Sequence, residues 1–401
     1  LYPEGLFVQR ADRRYRDVLG SRVVRIGNRP VDEAMALVSE VIHHDNEHTV
    51  KDHLPARLVM PEVLHALGLT GERDVARFEV ANELGERTTL ELTRVERGHA
   101  VDWVDVRTSE LPLYLEPRHR NFWLERLEAD GFVYVKFDVI ENEDDETLAD
   151  FARRFASTMA DPDIGQAVID LRGCHGGDHS LTRPLLHALI RAERLMEIGN
   201  LYVLTDRATF SAATLFALDL ERHTPVLFAG EPMGGKPNSY GDSRKILLPE
   251  TGLTLRVSTL YWQAHPKDDR MTLPVHFPVT PTFQDYRAGR DPVLAFVLEG
   301  ARLVTGDEGA QLAGVWEGTM GLAEWSYPLK ATFSQPSEGG WAIAVEGFET
   351  QNLSVERPSL SFEMPIDIGV LRFDVKLRQV GLIGRGTIDG REISLVLRRQ
   401  G

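Results

Sequence analysis

The sequence predicts an α/β protein: a mainly parallel sheet with helices, preceded by a small mixed region and followed by a small antiparallel barrel or sandwich. Three observations carry this. Between about residues 120 and 230, short apolar runs alternate with amphipathic helical stretches, a pattern that right-handed crossovers turn into a mainly parallel sheet. Ahead of it, strand, turn, helix and hairpin signals crowd into the first hundred residues. Beyond about 310, closely spaced strand-like runs are punctuated by glycine. At 401 residues the chain is too long for one core, and it divides on this reading into 1–100, 101–305 and 306–401.

In the first region, "SRVVRIGNRPVDEAMALV" gives a strand (Val23, Val24, Ile26), a Gly27-Asn28 turn, and Pro30 opening a helix with Met35, Leu37 and Val38. "ARFEVANELGERTTLELTRV" alternates apolar and polar residues around Gly85 like a hairpin. The region resembles a PDZ domain, with "GSRVVRIGNRPV" as the strand and turn before its first helix. "EVIHHDNEHTVKDH" exceeds what such a domain needs and predicts an insertion or an atypical helix. His43, His44, Asp45 and His48 lie there, and His44 and His48 have a metal-ligand spacing. No Glu completes an HExxH motif, and a solvated polar segment is the preferred reading.

In the second region, "FVYVKFDVI", "QAVIDLR", "LYVLTD" and "TPVLFAGE" read as strands. "ETLADFARRFASTMA", with Leu148, Phe151, Phe155 and Met159 on one face, "LTRPLLHALIRA" and "AATLFALDLERH" read as the helices between them. Function in such a sheet gathers beyond the carboxyl ends of the strands. Three loops sit there: "GCHGGDHS", "RATFS" and "PMGGKPNSYGD". A short helix in "DPVLAFVLEG" closes the region. In the third, Gly339-Gly340, Gly381, Gly384, Gly386 and Asp389-Gly390 mark turns, and "GVWEGTM" and "IGRGTIDG" resemble lipocalin-like accessory barrels.

Composition narrows the function classes. With 42% apolar and 26% charged residues this is an ordinary globular composition. A formal charge of −16 argues against nucleic acid or an anionic membrane as partner. Cys174 is the only cysteine, so neither an intrachain disulfide nor a cysteine-based zinc site is expected. No apolar run reaches the roughly 18 residues of a membrane span. The chain starts at Leu1 rather than methionine, which fits removal of a leading segment.

Ser211 stands among small residues where a strand gives way to a helix. It reads either as a helix N-cap, a role Thr209 could share, or as a nucleophile at the positive end of the helix. Gly176 and Gly177 would offer backbone amides to an oxyanion. Lys236, 25 positions after Ser211, is either an exposed loop lysine or a base, which burial would have to neutralise. Cys174 is either a nucleophile or a small packed residue, the second being preferred.

"VIDLRGCHGGDHS", "LYVLTDRATFSAATLFA", "GEPMGGKPNSYGD" and "PTFQDYRAGRDPVL" closely resemble the S41 peptidases, the tail-specific or C-terminal processing proteases, in family order over about residues 115–300. The resemblance implies a ClpP/crotonase-like core with Ser211 as nucleophile and Lys236 as base. It implies an oxyanion site from Ala212 with Gly176 or Gly177, and no cofactor or metal. Tyr240 stands where the family has a glutamine that orients the lysine, and Cys174 where an asparagine is usual. Relatives that use histidine make His175, His179 and His223 alternative bases. The implied function is a serine endopeptidase acting on polypeptides selected through their tails. An extracytoplasmic setting and a homo-oligomer are compatible with it. The alternative is a silent peptide- or ligand-binding protein on a protease-like core.

Overall fold

The computed structural model describes residues 1–96, 98–107, 111–127, 131–304, 312–322, 325–335, 340–367 and 369–400. Gly339 and the expected boundary at 305/306 lie outside them.

Val133, Val135, Ile169, Val203 and Phe228 fill strands buried on both faces, as parallel strands must be. They build a six-stranded sheet in the order 277–278, 227–230, 201–205, 166–170, 132–137, 122–127. All neighbours are parallel except the last pair, where Phe122–Leu127 runs antiparallel to Phe132–Phe137. Helices Leu148–Met159, Arg183–Arg191 and Ala212–His223 cover one face through Phe151, Phe155, Leu185, Leu189 and Phe216. Thr147 caps the first of these with a reciprocal bond to Asp150. Helix Pro292–Gly300 covers the other face through Val293 and Val297.

Ahead of this sheet, strands 29–30, 22–26, 75–81 and 87–93 form a four-stranded sheet packed on helices Val31–Ser39, Glu47–Leu58 and Pro61–Ala66. The second half of the "EVIHHDNEHTVKDH" stretch is an added helix, Glu47–Leu58, as the sequence allowed. Within Val31–Ser39 it is Ala34 and Val38 that are buried, while Leu37 lies on the outer face.

After it, strands between Gly314 and Arg399 make an eight-stranded antiparallel, barrel-like sheet around Trp316, Phe333, Phe362 and Phe373. Ile383 and Val396 of this sheet join the core beneath Pro292–Gly300. Arg378 donates to the Ala301 carbonyl (2.6 Å) and Asn200 Oδ1 (3.1 Å). The barrel-like sheet therefore buttresses the face away from the Ala212–His223 helix. Among the described residues no helix is long and apolar enough to cross a membrane.

The sequence reading placed "PMGGKPNSYGD", residues 232–242, in a loop and assigned 243–263 to no element. Residues 238–263 form a long hairpin, Asn238–Leu248 with Leu253–Gln263, that pairs with no other strand among the described residues.

Candidate active site

The Gln166–Asp170 strand ends in a buried ion network. Asp170 accepts from Arg172 at 3.0 Å and from the Tyr134 hydroxyl at 2.6 Å, and Arg172 reaches on to both Asp291 oxygens at 2.8 and 2.7 Å. The guanidinium lies 3.9 Å from the centre of the Tyr114 ring. Burial pushes the Asp170 carboxyl up, but Arg172 beside it brings it below the ordinary carboxylate value. Lys136 donates to the carbonyls of Phe137 and Arg172, both at 2.7 Å. These bonds fix the backbone from which the glycine loop departs.

Three further bonds stitch that loop to the segment carrying Ser211. Gly173 N–H donates to the Asp206 carboxylate (3.1 Å), Thr209 Oγ1 to the Leu171 carbonyl (2.9 Å), and Phe210 N–H to the Cys174 carbonyl (3.1 Å). Asp206 is itself held above the usual carboxylate range by burial. Thr209 is thereby spent on packing the loop, not on capping the helix.

Ser211 occupies the cap position of Ala212–His223, yet its side chain makes no capping bond, and its backbone sits at φ 54°, ψ −123°. An L-residue at positive φ costs on the order of 1–3 kcal/mol. A capping serine adopts ordinary extended angles, so the cap reading does not account for this residue. The turn instead holds the Ser211 side chain exposed at the helix N-terminus, as in the sharp strand-to-helix turn that presents a nucleophilic serine.

Gly176 lies directly against it. A Cβ there would stand 2.8 Å from Ser211 Cβ and 2.9 Å from Ala212 N, at φ 110°. Gly177, at φ 142°, abuts Ile140, where a Cβ would meet the carbonyl oxygen at 2.2 Å. Ile140 N–H donates to the Gly176 carbonyl (2.9 Å). In a trans peptide the next N–H points the opposite way, so the Gly177 amide faces away from Ile140. Among the described residues neither that amide nor Ala212 N–H has a protein acceptor. The structure thus brings Ser211, Ala212 and Gly176 together, with Gly177 adjoining.

Lys236 sits on the facing loop. Gly235 N–H donates to the Thr209 carbonyl (3.2 Å), which ties that loop to the same turn. Lys236 Nζ lies 3.5 Å from Asp45 Oδ1, and no hydrogen bond joins it to Ser211 among the described residues. Tyr240 is 71% exposed at the root of the hairpin, its ring 4.9 Å from that of Tyr261; no bond to Lys236 is present among the described residues.

Asp45, which the sequence offered only within a polar, histidine-rich segment, pairs with Lys236, a contact that sequence reasoning missed. Asn46 caps the Glu47–Leu58 helix through Oδ1, accepting from the His48 and Thr49 amides (2.9 and 3.1 Å), and its Nδ2 donates to the carbonyls of Met233 (3.1 Å) and Met271 (2.7 Å). Thr49 Oγ1 donates to the Gly234 carbonyl (2.6 Å). The polar "HDNEHT" run is therefore a clamp on the Lys236 loop. Its only sequence signal is Asn46 placed to cap a helix. His44 Nδ1–H donates to the Ile42 carbonyl (2.7 Å).

The other histidines separate. His175 is exposed beside Gly176. His179 pairs with Asp219 (2.7 Å), eight residues along the helix and so about 12 Å from Ser211. His223 ends that helix, about 18 Å away. Cys174 is buried and its thiol is pushed up to about 11 by that burial, so it is a packed residue without thiolate character.

No family model matches the chain, and no curated protein matches it. Solved structures do. A protein from Bacteroides fragilis assigned as an S41 protease is 15% identical over 56% of this chain and 66% of its own, with a TM-score of 0.32. The photosystem II D1 C-terminal processing protease is 15% identical over 67% of this chain and 65% of its own, TM-score 0.30. Mature CPAF complexed with lactacystin is 12% identical over 67% of this chain and 74% of its own, TM-score 0.45. The chain spans just under two thirds of the length of the first two. Among the solved structures to which this chain is similar are thus S41-type proteases.

Proposed function

We propose that the chain is a serine endopeptidase working through an acyl-enzyme. The observation that carries this is the conformation of Ser211: exposed, at positive φ, at a helix N-terminus, with no capping bond. Ser211 Oγ attacks the scissile carbonyl while a base takes its proton. The oxyanion is held by Ala212 N–H and by the amide of Gly177 or Gly176, and water then releases the acyl group. In this reading the sheet is a ClpP/crotonase-like core, and the first hundred residues are a PDZ-like module that captures an extended tail by strand addition.

Lys236 is the base of this scheme. To serve, Lys236 must leave Asp45, lose its proton to become the neutral amine, and reach Ser211 Oγ to take the hydroxyl proton, with Tyr240 turning in to orient it. His44, next in the chain to Asp45 and with Nδ1 held by the Ile42 carbonyl, is a second candidate base that the test below separates from Lys236.

The test is labelling with a fluorophosphonate and cleavage of an unfolded protein by the intact chain. Ser211→Ala should abolish both, lowering turnover by on the order of 10⁴-fold or more. Lys236→Ala and His44→Ala assign the base by which of them matches that loss. An intact chain that binds peptide but is neither labelled nor active would favour the silent binding protein.

A further inference from the structure

Each strand of the 238–263 hairpin is 11 residues long, roughly 37 Å at the rise of a β-strand. Its register sets Tyr240 opposite Tyr261, Arg244 opposite Val257, Ile246 opposite Leu255 and Leu248 opposite Leu253. Opposed residues share a face, so these eight line one side. The other side carries Ser239, Ser243 and Lys245 opposite Trp262, Ser258 and Arg256. The second side adds Gly241 opposite Leu260 and Leu247 opposite Thr254 and is the more polar of the two; Asp242 and Thr259 fall between the Tyr240–Tyr261 and Arg244–Val257 pairs, so the first side has seven apolar residues with Arg244, Asp242 and Thr259.

Nothing in the chain covers it among the described residues. Tyr240 is 71% exposed, Leu253 60%, Tyr261 51%, Val257 48%, Ile246 47% and Leu255 46%. A two-stranded ribbon on its own is marginal in water.

We propose that this face packs against the same face of a second copy of the chain, sheet on sheet about a two-fold axis. The six side chains offer on the order of 700 Å² of apolar surface per copy, more than the ~300–600 Å² of a typical monomer's largest patch and close to the ~800 Å² per partner of a stable complex. Such a contact needs a patch that complements itself, and a flat face of tyrosine, leucine, isoleucine and valine does so. Its root is firm, because Asn238 Nδ2 donates to the carbonyls of His265 and Asp268, both at 2.7 Å. This inference does not depend on the peptidase reading.

Sedimentation velocity with light scattering on the full chain at micromolar concentration tests it. The intact protein should have twice the 45.0 kDa chain mass. Leu255→Asp with Val257→Asp should return it to the chain mass with unchanged circular dichroism. Thr254→Asp with Ser258→Asp, the same charge on the opposite face, should leave it dimeric. Tyr240→Ser with Tyr261→Ser, a milder truncation, should weaken association about 10-fold or more. A protein monomeric throughout, or a dimer indifferent to the first and last pairs, overturns the proposal.

Discussion

On one side of Ser211 the 173–178 loop is tied into the sheet by buried Lys136, Arg172 and Thr209 and by half-buried Asp206. On the other, the Gly234–Lys236 loop is tied to Asp45, Asn46 and Thr49 of a helix in the N-terminal region, and runs directly into an exposed hairpin. The first loop inherits its geometry from the core. The second depends on how that helix sits and on what covers the ribbon. Amides that must meet a developing charge gain from being fixed in advance. A base that must change partners gains from a loop held by separable contacts.

The largest way to break the rigid side is Arg172→Met. It leaves Asp170 and Asp291 buried without their cation, and should cost about 3–5 kcal/mol by denaturant unfolding. The sign with pH follows from Asp170, whose folded carboxyl lies below its ordinary value. Its contribution is whole above the unfolded value of about 3.9 and is lost as pH falls through the lower folded one, so the variant should lose that acid limb.

Next comes Gly176→Ala. Its methyl meets Ser211 Cβ and Ala212 N at a φ that L-residues resist, costing about 1–3 kcal/mol and lowering acylation by on the order of 10²-fold or more. A thermal melt and a labelling rate read the two effects separately.

Ser211→Gly sharpens the contrast in the other direction. Relief of the positive φ, less the entropy cost of glycine, should raise stability by about 1 kcal/mol while labelling disappears. An unchanged or lowered melting temperature would show that the turn stores no strain.

The smallest effect on stability belongs to Asp45→Asn. The pair is partly exposed, so unfolding should shift by about 1 kcal/mol or less. Turnover should nevertheless change, since Lys236 loses the carboxylate that holds it. An unaltered rate would remove Asp45 from the working site.

The alternation of apolar runs and amphipathic helices was enough to read the 132–137, 166–170, 201–205 and 227–230 strands and their helices, because burial on both faces leaves an unbroken apolar run. Ser211 stood out as a serine among small residues at a strand-to-helix junction, but that pattern alone left a helix cap and a nucleophile both open, and only the resemblance to the S41 peptidases implied the second. The hairpin escaped because its glycine- and lysine-containing start reads as loop, and its apolar alternation has no partner in the chain to explain it. What the sequence by itself determined is the layered sheet and the position of Ser211 at a strand-to-helix junction, both consequences of local periodicity. Tertiary structure alone decided the positive φ of Ser211, the Gly176 contact and the Asp45–Lys236 pair, because each joins residues far apart in the chain or rests on strain that only packing can hold.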